Sequence, residues 1–437
     1  MIASYVTIGA LVAMLGCTVV PVVDQDATAA PPDYSGIAEQ VEESLKKDIL
    51  DKWYPRAVDK THGGFHQYFN HDWTRGEGDE RSVVYQARLT WMAAEAAKRY
   101  KSRSVEFTEY SRHGLDFLNH RLWDAQDGGF FWAVTGEGKP VTTEKHSYGI
   151  AFAIYAAAAN YRVTRNPQAL ELAQRGFNWL DTHAHDSVNG GYYEALQRNG
   201  KPIAATENPE SVKDAIGTRK GYKSMNTHIH LLEALTELYR ADKTSRVGAR
   251  LQEIFDILCK KIASPEGYLR LFFTPDWKPT SDMDSYGHDI ETAYLILEAA
   301  RALGKGEDAT VQTLSRRLVD HTIMYGMDKR YGGFYDSGPI NGSATERDKI
   351  WWTQAEALKA LLLMDERYRS ETPEYGKAFV RQWEFIQKYQ IDKTHGGWYP
   401  TLHPDGTPLV RQGKSDAWTD PYHQGRALLH VSAALQK

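Results

Sequence analysis

Hydrophobic and polar residues follow two helical patterns that alternate along this chain. In the first pattern, apolar residues recur at intervals of three and four among many charges, which predicts a helix with one solvated face. The second pattern is rich in alanine and poor in charge, which predicts a helix buried on nearly all sides. Segments of the first kind are 105–120, 168–183, 245–262 and 374–389. Segments of the second kind are 147–161, 288–300, 354–364 and 423–435.

A glycine motif separates these segments and occurs six times. The last glycine of each copy falls at residue 64, 129, 191, 267, 333 or 397, with spacings of 65, 62, 76, 66 and 64 residues. Glycine accepts positive φ angles, so each copy predicts a turn, and the aromatic residue after it begins an extended segment. The copies are Asp59-Lys60-Thr61-His62-Gly63-Gly64-Phe65, Asp127-Gly128-Gly129-Phe130, Asn189-Gly190-Gly191-Tyr192, Glu266-Gly267-Tyr268, Tyr331-Gly332-Gly333-Phe334 and Lys393-Thr394-His395-Gly396-Gly397-Trp398.

Six repeats of charged helix, glycine turn and buried helix predict twelve helices. Wound in order, they form an inner ring of six inside an outer ring of six, an all-α (α/α)6 barrel with short β-hairpins at the turns. A linear solenoid is the alternative, but it needs polar capping repeats, whereas the first and sixth turns here are nearly identical. Although 437 residues allow two or three domains, the repeat indicates a single domain over residues 34–437.

The N-terminal region has the pattern of an export signal. The first 23 residues carry no charged side chain, and their apolar part is too short for a comfortable membrane span. Met14-Leu15-Gly16-Cys17 resembles a lipobox, so we expect a signal peptide over 1–16, a lipidated Cys17 and a tether over 17–33. The protein would then be exported and anchored by its lipid, facing the periplasm or the cell exterior. The alternatives are secretion after simple cleavage and an uncleaved anchor. If Cys17 is lipidated, Cys259 has no partner for a disulfide within the chain and would be an unpaired core thiol.

Composition and charge exclude several classes of protein. With 52 basic and 57 acidic residues, the formal net charge is −5, which gives no basic excess for nucleic-acid binding. A hydrophobic content of 42% with two cysteines excludes a disordered or disulfide-stapled chain. The 16 histidines include no His-Glu-x-x-His motif, so no metal is expected. Twelve tryptophans and 25 tyrosines provide flat faces for stacking on sugars or for plain packing.

The repeat also predicts where functional side chains lie. In such a barrel, each turn and the start of the following inner helix meet at one mouth, where polar residues converge on one cavity. His288 and Glu291 are three residues apart and Asn226 and His230 four apart, so each pair shares a helix face, whereas His228 points elsewhere. The repeat-equivalent side chains are Arg88, Tyr148, Asn226 with His230, His288 with Glu291, Trp351 with Glu356, and Trp418 with His423.

Four of these segments resemble signatures of the N-acylglucosamine 2-epimerase superfamily, and most of all its cellobiose and mannobiose 2-epimerases. The resemblance runs from about residue 35 to the end, and it implies an (α/α)6 barrel that agrees with the repeat count. The segments are Asn226-Thr227-His228-Ile229-His230-Leu231-Leu232-Glu233-Ala234, Ser285-Tyr286-Gly287-His288-Asp289-Ile290-Glu291, Trp351-Trp352-Thr353-Gln354-Ala355-Glu356-Ala357 and Trp418-Thr419-Asp420-Pro421-Tyr422-His423-Gln424-Gly425-Arg426.

The resemblance implies a reaction and a set of catalytic residues. The substrate would be a β-linked disaccharide whose reducing-end glucose or mannose is epimerised at C2, without metal or nucleotide. His288 and His423 would move the C2 proton on opposite faces through a cis-enediolate, since histidine serves as acid or base near neutrality. Glu291 would orient and tune His288.

The same resemblance implies the residues that bind the sugar. Arg88, Asn226 and His230 would bind the oxygens of the reacting residue, and Arg88 would stabilise the enediolate. Trp351 and Trp418 would stack on the sugar. Tyr148 would be a pocket residue, and Glu356 is placed with the residues that bind substrate.

Other interpretations remain open on the sequence alone. The same scaffold would serve an N-acylglucosamine or mannose 2-epimerase or an aldose–ketose isomerase. A glycoside hydrolase would use the carboxylate pair Glu291 and Glu356, and a non-catalytic sugar-binding lipoprotein would keep the tryptophans without needing both histidines. The disaccharide enzymes usually have a basic residue and glycine where this chain has Thr419-Asp420, and loop 198–223 is either a lid or an insertion. The oligomeric state is not predicted.

Overall fold

The computed structural model describes residues 34–205 and 212–436. The predicted signal peptide 1–16, Cys17 and the tether 17–33 lie outside the described residues, as does part of loop 198–223. All described residues belong to one compact unit. Within them, we find no helix with the length and apolar character needed to cross a membrane.

Twelve main helices alternate along the described chain, as the repeat count predicts. The outer ring is formed by α1 (Ser35–Ser44), α3 (Ser104–Phe117), α5 (Pro167–His183), α7 (Ser245–Ile257), α9 (Ala309–Tyr325) and α11 (Glu374–Phe385). The inner ring is formed by α2 (Val83–Arg99), α4 (Ser147–Thr164), α6 (Met225–Ala241), α8 (Tyr286–Ala302), α10 (Trp351–Tyr368) and α12 (Tyr422–Leu435). Four outer helices continue into π-helical turns at Leu45–Leu50, Leu118–Leu122, Leu258–Ile262 and Ile386–Gln390.

Burial separates the two rings as the sequence pattern predicts. In the inner helix α4, every residue from 147 to 160 is buried. The outer helix α7 buries only five of its thirteen residues, and they recur at helical spacing along one face. Serine caps help to begin the inner helices, because the side chains of Ser82 and Ser224 accept hydrogen bonds from the backbone N–H groups of Tyr85 and Thr227.

The ring closes between the last repeat and the first. The final inner helix α12 packs against both α1 and α2. Phe69 in the first repeat forms a backbone bridge with Ser415 in the last. The indole of Trp73 also donates a hydrogen bond of 3.0 Å to the carbonyl of Gly396. These contacts confirm a closed barrel over a linear solenoid.

Ten short strands connect neighbouring repeats. Each pair joins the segment before one inner helix to the segment after the next glycine turn. The predicted hairpins at the turns are present only as isolated bridges, such as Val58 with Phe65. The antiparallel pairs are β1 (Glu80–Ser82) with β2 (Ala133–Thr135), β3 (Lys145–His146) with β4 (Ala195–Leu196), β5 (Lys223–Ser224) with β6 (Phe272–Phe273), β7 (Met283–Ser285) with β8 (Ser337–Pro339), and β9 (Lys349–Ile350) with β10 (Thr401–Leu402).

Buried ion pairs fasten five of the six glycine turns. Asp186, for example, accepts hydrogen bonds from the backbone of Val188 and Asn189, and its other oxygen lies 2.7 Å from the ammonium group of Lys223. Lys223 also donates to the carbonyl of Gly190 in the turn itself. The equivalent pairs are Asp59–Arg81, Asp124–Lys145, Asp186–Lys223, Asp328–Lys349 and Asp392–Lys414. Four of these pairs tie a turn to the start of an inner helix, and the fifth ties a turn to the segment that precedes α12.

Two features differ from the sequence expectations or extend them. Cys259 is unpaired but only half-buried, because it lies on the π-helical turn after α7 rather than within the core. Burial nevertheless raises the pKa of its thiol to about 12. The described ends of loop 198–223 are held by Arg198 on Asp124 and by Lys220 on Glu144. A lid function for this loop stays a prediction.

Candidate active site

A cavity of about 220 Å³ opens at the mouth where the inner helices begin. Nine of the ten predicted site side chains line it, so the repeat-equivalent positions converge as expected. Glu356 is the exception: it is fully buried beneath His423. Trp352 lines the cavity without having been predicted. The lining residues are Arg88, Tyr148, Asn226, His230, His288, Glu291, Trp351, Trp352, Trp418 and His423.

Position along the inner helices decides the depth of each side chain. Tyr148, Asn226, Trp351 and His423 are the first or second residues of their helices, and His288 is the third. The sixth residues of four inner helices lie one turn deeper. They are Arg88, His230, Glu291 and Glu356. The cavity therefore has an aromatic and imidazole rim above a charged floor.

The two histidines predicted to be catalytic lie against the same tryptophan. The ring of Trp352 is 4.7 Å from that of His288 and 5.5 Å from that of His423, between centroids. His288 Nδ1 lies 2.7 Å from the hydroxyl of Ser285. His423 Nδ1 lies 2.7 Å from Glu356 Oε1. A carboxylate only accepts hydrogen bonds, so Glu356 fixes the proton of His423 on Nδ1 and leaves Nε2 as its basic nitrogen.

Burial keeps both imidazoles neutral. It lowers the pKa of His288 to about 3, and the neighbouring His230 and His423 act in the same direction. Burial also lowers the pKa of His423 to about 3, although the hydrogen bond to Glu356 opposes that shift. At neutral pH each ring therefore has a free basic nitrogen with which to accept a proton.

The expected role of Glu291 as the partner of His288 is wrong. Although the two residues are three apart on α8, Glu291 Oε1 accepts a hydrogen bond from Arg426 and lies 3.9 Å from His423 Nδ1. The partner of His288 is Ser285 instead. Glu356 likewise does not line the cavity as a sugar ligand: it holds His423 in place. The shared helix face indicated that His288 and Glu291 lie near each other. The hydrogen-bond partner of Glu291 is nevertheless Arg426, which comes from another repeat.

Arg426 is the hub of the charged floor. It donates hydrogen bonds to Glu233, Glu291 and Glu356, which come from three different inner helices. Glu233 in turn lies 3.1 Å from His230 Nδ1. One guanidinium thus holds the carboxylates that orient His230 and His423.

The three glutamates share one cation, and this separates their pKa values. Burial raises the pKa of Glu291 to about 8, with repulsion from Glu356 and Glu233 adding to the effect against the opposing charge of Arg426. Arg426 and His230 hold the pKa of Glu233 at about 2, against the effect of burial. Arg426 and His423 hold that of Glu356 still lower. Glu291 is therefore the one protonated acid of the three at neutral pH, and it faces the cavity.

Arg88 is held as a fixed positive group in the floor of the cavity. It donates hydrogen bonds of 3.0 Å to Asp420 and to the hydroxyl of Tyr148. Its guanidinium carbon also lies 4.4 Å from the centre of the Phe152 ring. Asp420 belongs to the segment that departs from the disaccharide enzymes, and here it anchors Arg88 and accepts from the N–H of Tyr422.

Several polar atoms remain available for a ligand. Asn226 Oδ1 and Trp351 Nε1 are buried without a hydrogen-bond partner among the described residues, and both side chains line the cavity. Trp418 is 40% exposed and lies at the mouth beside Trp132 and Tyr148. This arrangement suits a polyhydroxylated ring that is bound at its edges by polar groups and on its faces by aromatic groups.

Three contributors were missed by sequence reasoning although their segments were singled out. Arg426 is a charge inside an otherwise apolar helix, which is the strongest overlooked signal. Trp352 adjoins Trp351, and Glu233 follows His230 by three residues, the spacing of one helical face. Their roles depend on contacts between repeats, which spacing within one repeat does not indicate.

The donor atoms of Glu291, Glu356 and His423 lie within 4.8 Å of one another, so this part of the site also has the residue types of a metal centre. Arg426 already bridges the two glutamates, however, and its guanidinium supplies the positive charge that a metal ion would bring. A metal ion at this place would have to displace Arg426.

A comparison with protein families decides the affiliation. The model of the N-acylglucosamine 2-epimerase (GlcNAc 2-epimerase) family matches residues 63–427, which include every residue of the cavity. The chain belongs to this family. It is 32% identical to cellobiose 2-epimerase of Bacteroides fragilis over 90% of this chain and 98% of that one. It is 24% identical to D-mannose isomerase of Marinomonas mediterranea over 88% and 94% of the two chains.

Solved structures give the same result for the fold. Cellobiose 2-epimerase from Bacillus thermoamylovorans superposes with a TM-score of 0.82 at 25% identity, covering 91% of this chain and 99% of that one. A family 76 α-mannanase from Bacteroides thetaiotaomicron, with a TM-score of 0.59 at 13% identity, shares the barrel alone. The protein is a carbohydrate epimerase or isomerase, and the hydrolase alternative is not favoured.

Proposed function

We propose that the protein interconverts glucose and mannose at the reducing end of a β-linked disaccharide such as cellobiose. The observation that carries the proposal is a pair of neutral imidazoles, His288 and His423. Both rings pack against Trp352 in a cavity of about the size of a sugar. The names of the relatives, cellobiose 2-epimerases above all, support the same substrate class.

Inversion at C2 requires a proton to leave one face of the carbon and to return on the other. After ring opening, one imidazole takes the C2 proton, and the electron pair of the C–H bond moves toward C1 to form a cis-enediolate. The other imidazole takes a proton from solvent and delivers it to the opposite face of C2, while the first imidazole releases its proton to solvent. Two groups of the same type can serve both directions of a reversible reaction, because each acts as the base in one direction and as the acid in the other.

The negative charge that develops on the enediolate lies among fixed positive groups. Arg88 is anchored by Asp420 and Tyr148, so it does not have to reorganise as the charge forms. The inner helices also begin at this mouth, and the positive ends of their dipoles face the cavity. The protonated carboxyl of Glu291 provides a proton donor for the oxygen of the sugar.

The role of Glu291 predicts a pH dependence. Because its pKa is raised to about 8, the carboxyl is protonated below that pH and loses its proton above it. Activity should therefore fall as the pH rises through about 8, while Glu291→Gln, which is neutral at every pH, should lose this alkaline decrease. Rates for the two proteins between pH 6 and about 10 test it. A Glu291→Gln variant that keeps the same alkaline limb would assign the titration to another group.

A substrate panel tests the proposed substrate class. The cavity of about 220 Å³ lies below the usual range for drug-sized ligands, so we expect it to enclose the reacting sugar only. Trp418 at the mouth then provides a face for the second sugar residue. Purified protein incubated with cellobiose, mannobiose, mannose and N-acetylglucosamine should convert the disaccharides fastest. Ketose formation would indicate an isomerase, and release of free glucose from cellobiose would indicate a hydrolase.

We also propose that residues 1–16 are removed and that Cys17 carries a lipid anchor on the outer side of the cytoplasmic membrane. The uncharged apolar stretch and the Met14-Leu15-Gly16-Cys17 segment support this proposal. Cells fed labelled palmitate should incorporate the label into the protein, and Cys17→Ser should abolish the label. A wild-type protein that is exported without the label would be secreted rather than anchored.

A further inference from the structure

The fourth repeat lacks the ion pair that fastens the other five glycine turns. Four of those repeats place a buried lysine or arginine two residues before an inner helix, opposite an aspartate that begins the turn. In the fourth repeat, Ser264 stands where the turn aspartate would be, and Asp284 occupies the place of the cation. A buried carboxylate thus fills a position that elsewhere holds a positive charge.

Two further side chains converge on Asp284. Asp289 follows on the first turns of α8, and His321 comes from the outer helix α9. Both aspartates are fully buried, and His321 is 5% exposed. His321 Nδ1 lies 3.4 Å from Asp284 Oδ2 and 3.5 Å from Asp289 Oδ2. These three atoms, together with Asp284 Oδ1, have no hydrogen-bond partner among the described residues.

Among the residues that the structure describes, no other charge compensates this cluster. In the described part of the chain, His321 is the only basic side chain that comes within ion-pair distance of either aspartate. Burying charged groups without partners is costly.

We propose that Asp284, Asp289 and His321 bind a divalent transition-metal ion such as Zn²⁺. Zinc bonds to imidazole nitrogen and carboxylate oxygen are about 2.0–2.2 Å, so tetrahedral angles place neighbouring ligand atoms about 3.3–3.6 Å apart. The observed separations of 3.4 and 3.5 Å match such an edge, whereas they are long for hydrogen bonds. One imidazole with two carboxylates also favours zinc, manganese or iron over calcium and magnesium, which prefer oxygen ligands alone.

Neighbouring groups orient the ligands toward a common centre. Asp289 Oδ1 accepts a hydrogen bond of 2.8 Å from the backbone N–H of Leu269, which leaves Oδ2 for the metal. The side chain of Asn341 lies beside the imidazole of His321. The ring of Tyr325 packs 4.7 Å from that imidazole. Such outer partners commonly fix the orientation of metal ligands.

The ion would have a structural role close to the active site. Ser285, whose hydroxyl contacts His288, directly follows Asp284, and Asp289 directly follows His288. A metal ion held by the cluster would join β7 and the start of α8 to the outer helix α9. The metal ion would thus hold the segment that carries His288 in place, as the buried ion pairs hold the equivalent segments of the other repeats.

Titration calorimetry with Zn²⁺ on the full chain, after treatment with EDTA and dialysis, tests the site directly and needs no sugar. We expect one equivalent to bind, and Asp284→Asn and His321→Gln to weaken the binding by more than about 100-fold. Changes to residues that only support a ligand commonly cost 10- to 100-fold, and these variants remove a ligand itself. Zn²⁺ should also raise the melting temperature of the wild type but not of the variants.

Matched variants test which residues bind the ion and whether a loss of binding results from misfolding. His423→Gln and His146→Gln each alter one of the two other clusters of the same donor types, and His403→Ala removes a surface imidazole, so all three variants should bind Zn²⁺ as tightly as the wild type. The double change Ser264→Asp with Asp284→Lys copies the ion pair of the other repeats and should abolish binding while keeping the fold. A wild type that binds Zn²⁺, Co²⁺ and Mn²⁺ no more tightly than Asp284→Asn would overturn the proposal, and the carboxyls would then share a proton. Loss of binding in His423→Gln would also overturn it.

Discussion

Replacing His423 with glutamine should lower the rate of epimerisation by about 100- to 10,000-fold, the range that a positioned acid–base group commonly contributes. The amide of glutamine can still donate a hydrogen bond to Glu356, so the charged floor keeps a partner at this position. Glutamine has no nitrogen that accepts a proton near neutrality, so the chemical step is lost. His288→Gln should have an effect of similar size for the same reason.

The measurement is the initial rate of mannose-type product from cellobiose, with circular dichroism and melting temperature as checks on folding. His403→Ala is the matched control, because its side chain is nearly half exposed and lies outside the cavity. This control should retain wild-type activity. If His423→Gln and His288→Gln both fold and both keep more than about a tenth of the activity, the two-histidine mechanism is wrong.

Replacing Arg426 with methionine should destabilise the fold by about 3–5 kcal/mol at pH 7 and remove most of the activity. Loss of one partner from a buried ion cluster leaves the other charges uncompensated, and here the ionised Glu233 and Glu356 both depend on one guanidinium. Activity should fall because Glu356 and Glu233 no longer hold His423 and His230. Urea unfolding with a parallel activity assay measures both effects.

The destabilisation by Arg426→Met should become smaller as the pH falls. The lowered pKa of Glu233, about 2 in the folded protein, gives the wild type a stability that is present above the ordinary glutamate pKa and is lost as the pH falls toward 2. Arg426→Met lacks that contribution, so the difference in unfolding free energy between the two proteins should narrow below about pH 4.3.

Arg426→Lys, which keeps the charge but not the planar set of donors, should have a stability between those of the wild type and Arg426→Met. Arg112→Met, at an exposed ion pair, should change stability by less than about 0.5 kcal/mol. Equal stability of Arg426→Met and wild type would refute the hub role.

Much of the barrel could be predicted because its information is local and repeated. Helix faces follow from the spacing of apolar residues within one segment, and six glycine motifs mark the repeat without any alignment. The strand pairs between repeats were not predicted, because the partner of β3, for example, lies some fifty residues along the chain. The ion pair of Asp186 with Lys223 was missed for the same reason: its members are 37 residues apart.

The candidate site, too, could be predicted only in part. Equivalent positions in the repeats predicted which side chains reach the cavity, since each inner helix begins at the same mouth. The partners of those side chains could not be predicted, because His423 meets Glu356 and Arg426 meets Glu291 across different helices. The i, i+3 spacing of His288 and Glu291 offered a plausible local pair, but Glu291 accepts a hydrogen bond from Arg426 of another repeat instead.

In the proposed mechanism, His288 and His423 exchange the C2 proton of the sugar with solvent. Incubation of the purified protein with cellobiose in heavy water, followed by mass spectrometry and proton NMR of the product, tests it most directly. We expect one solvent deuterium bonded to carbon in the epimer, at C2 of the reducing-end residue. An epimer that forms without carbon-bound deuterium, or deuterium that accumulates at another carbon, would contradict it.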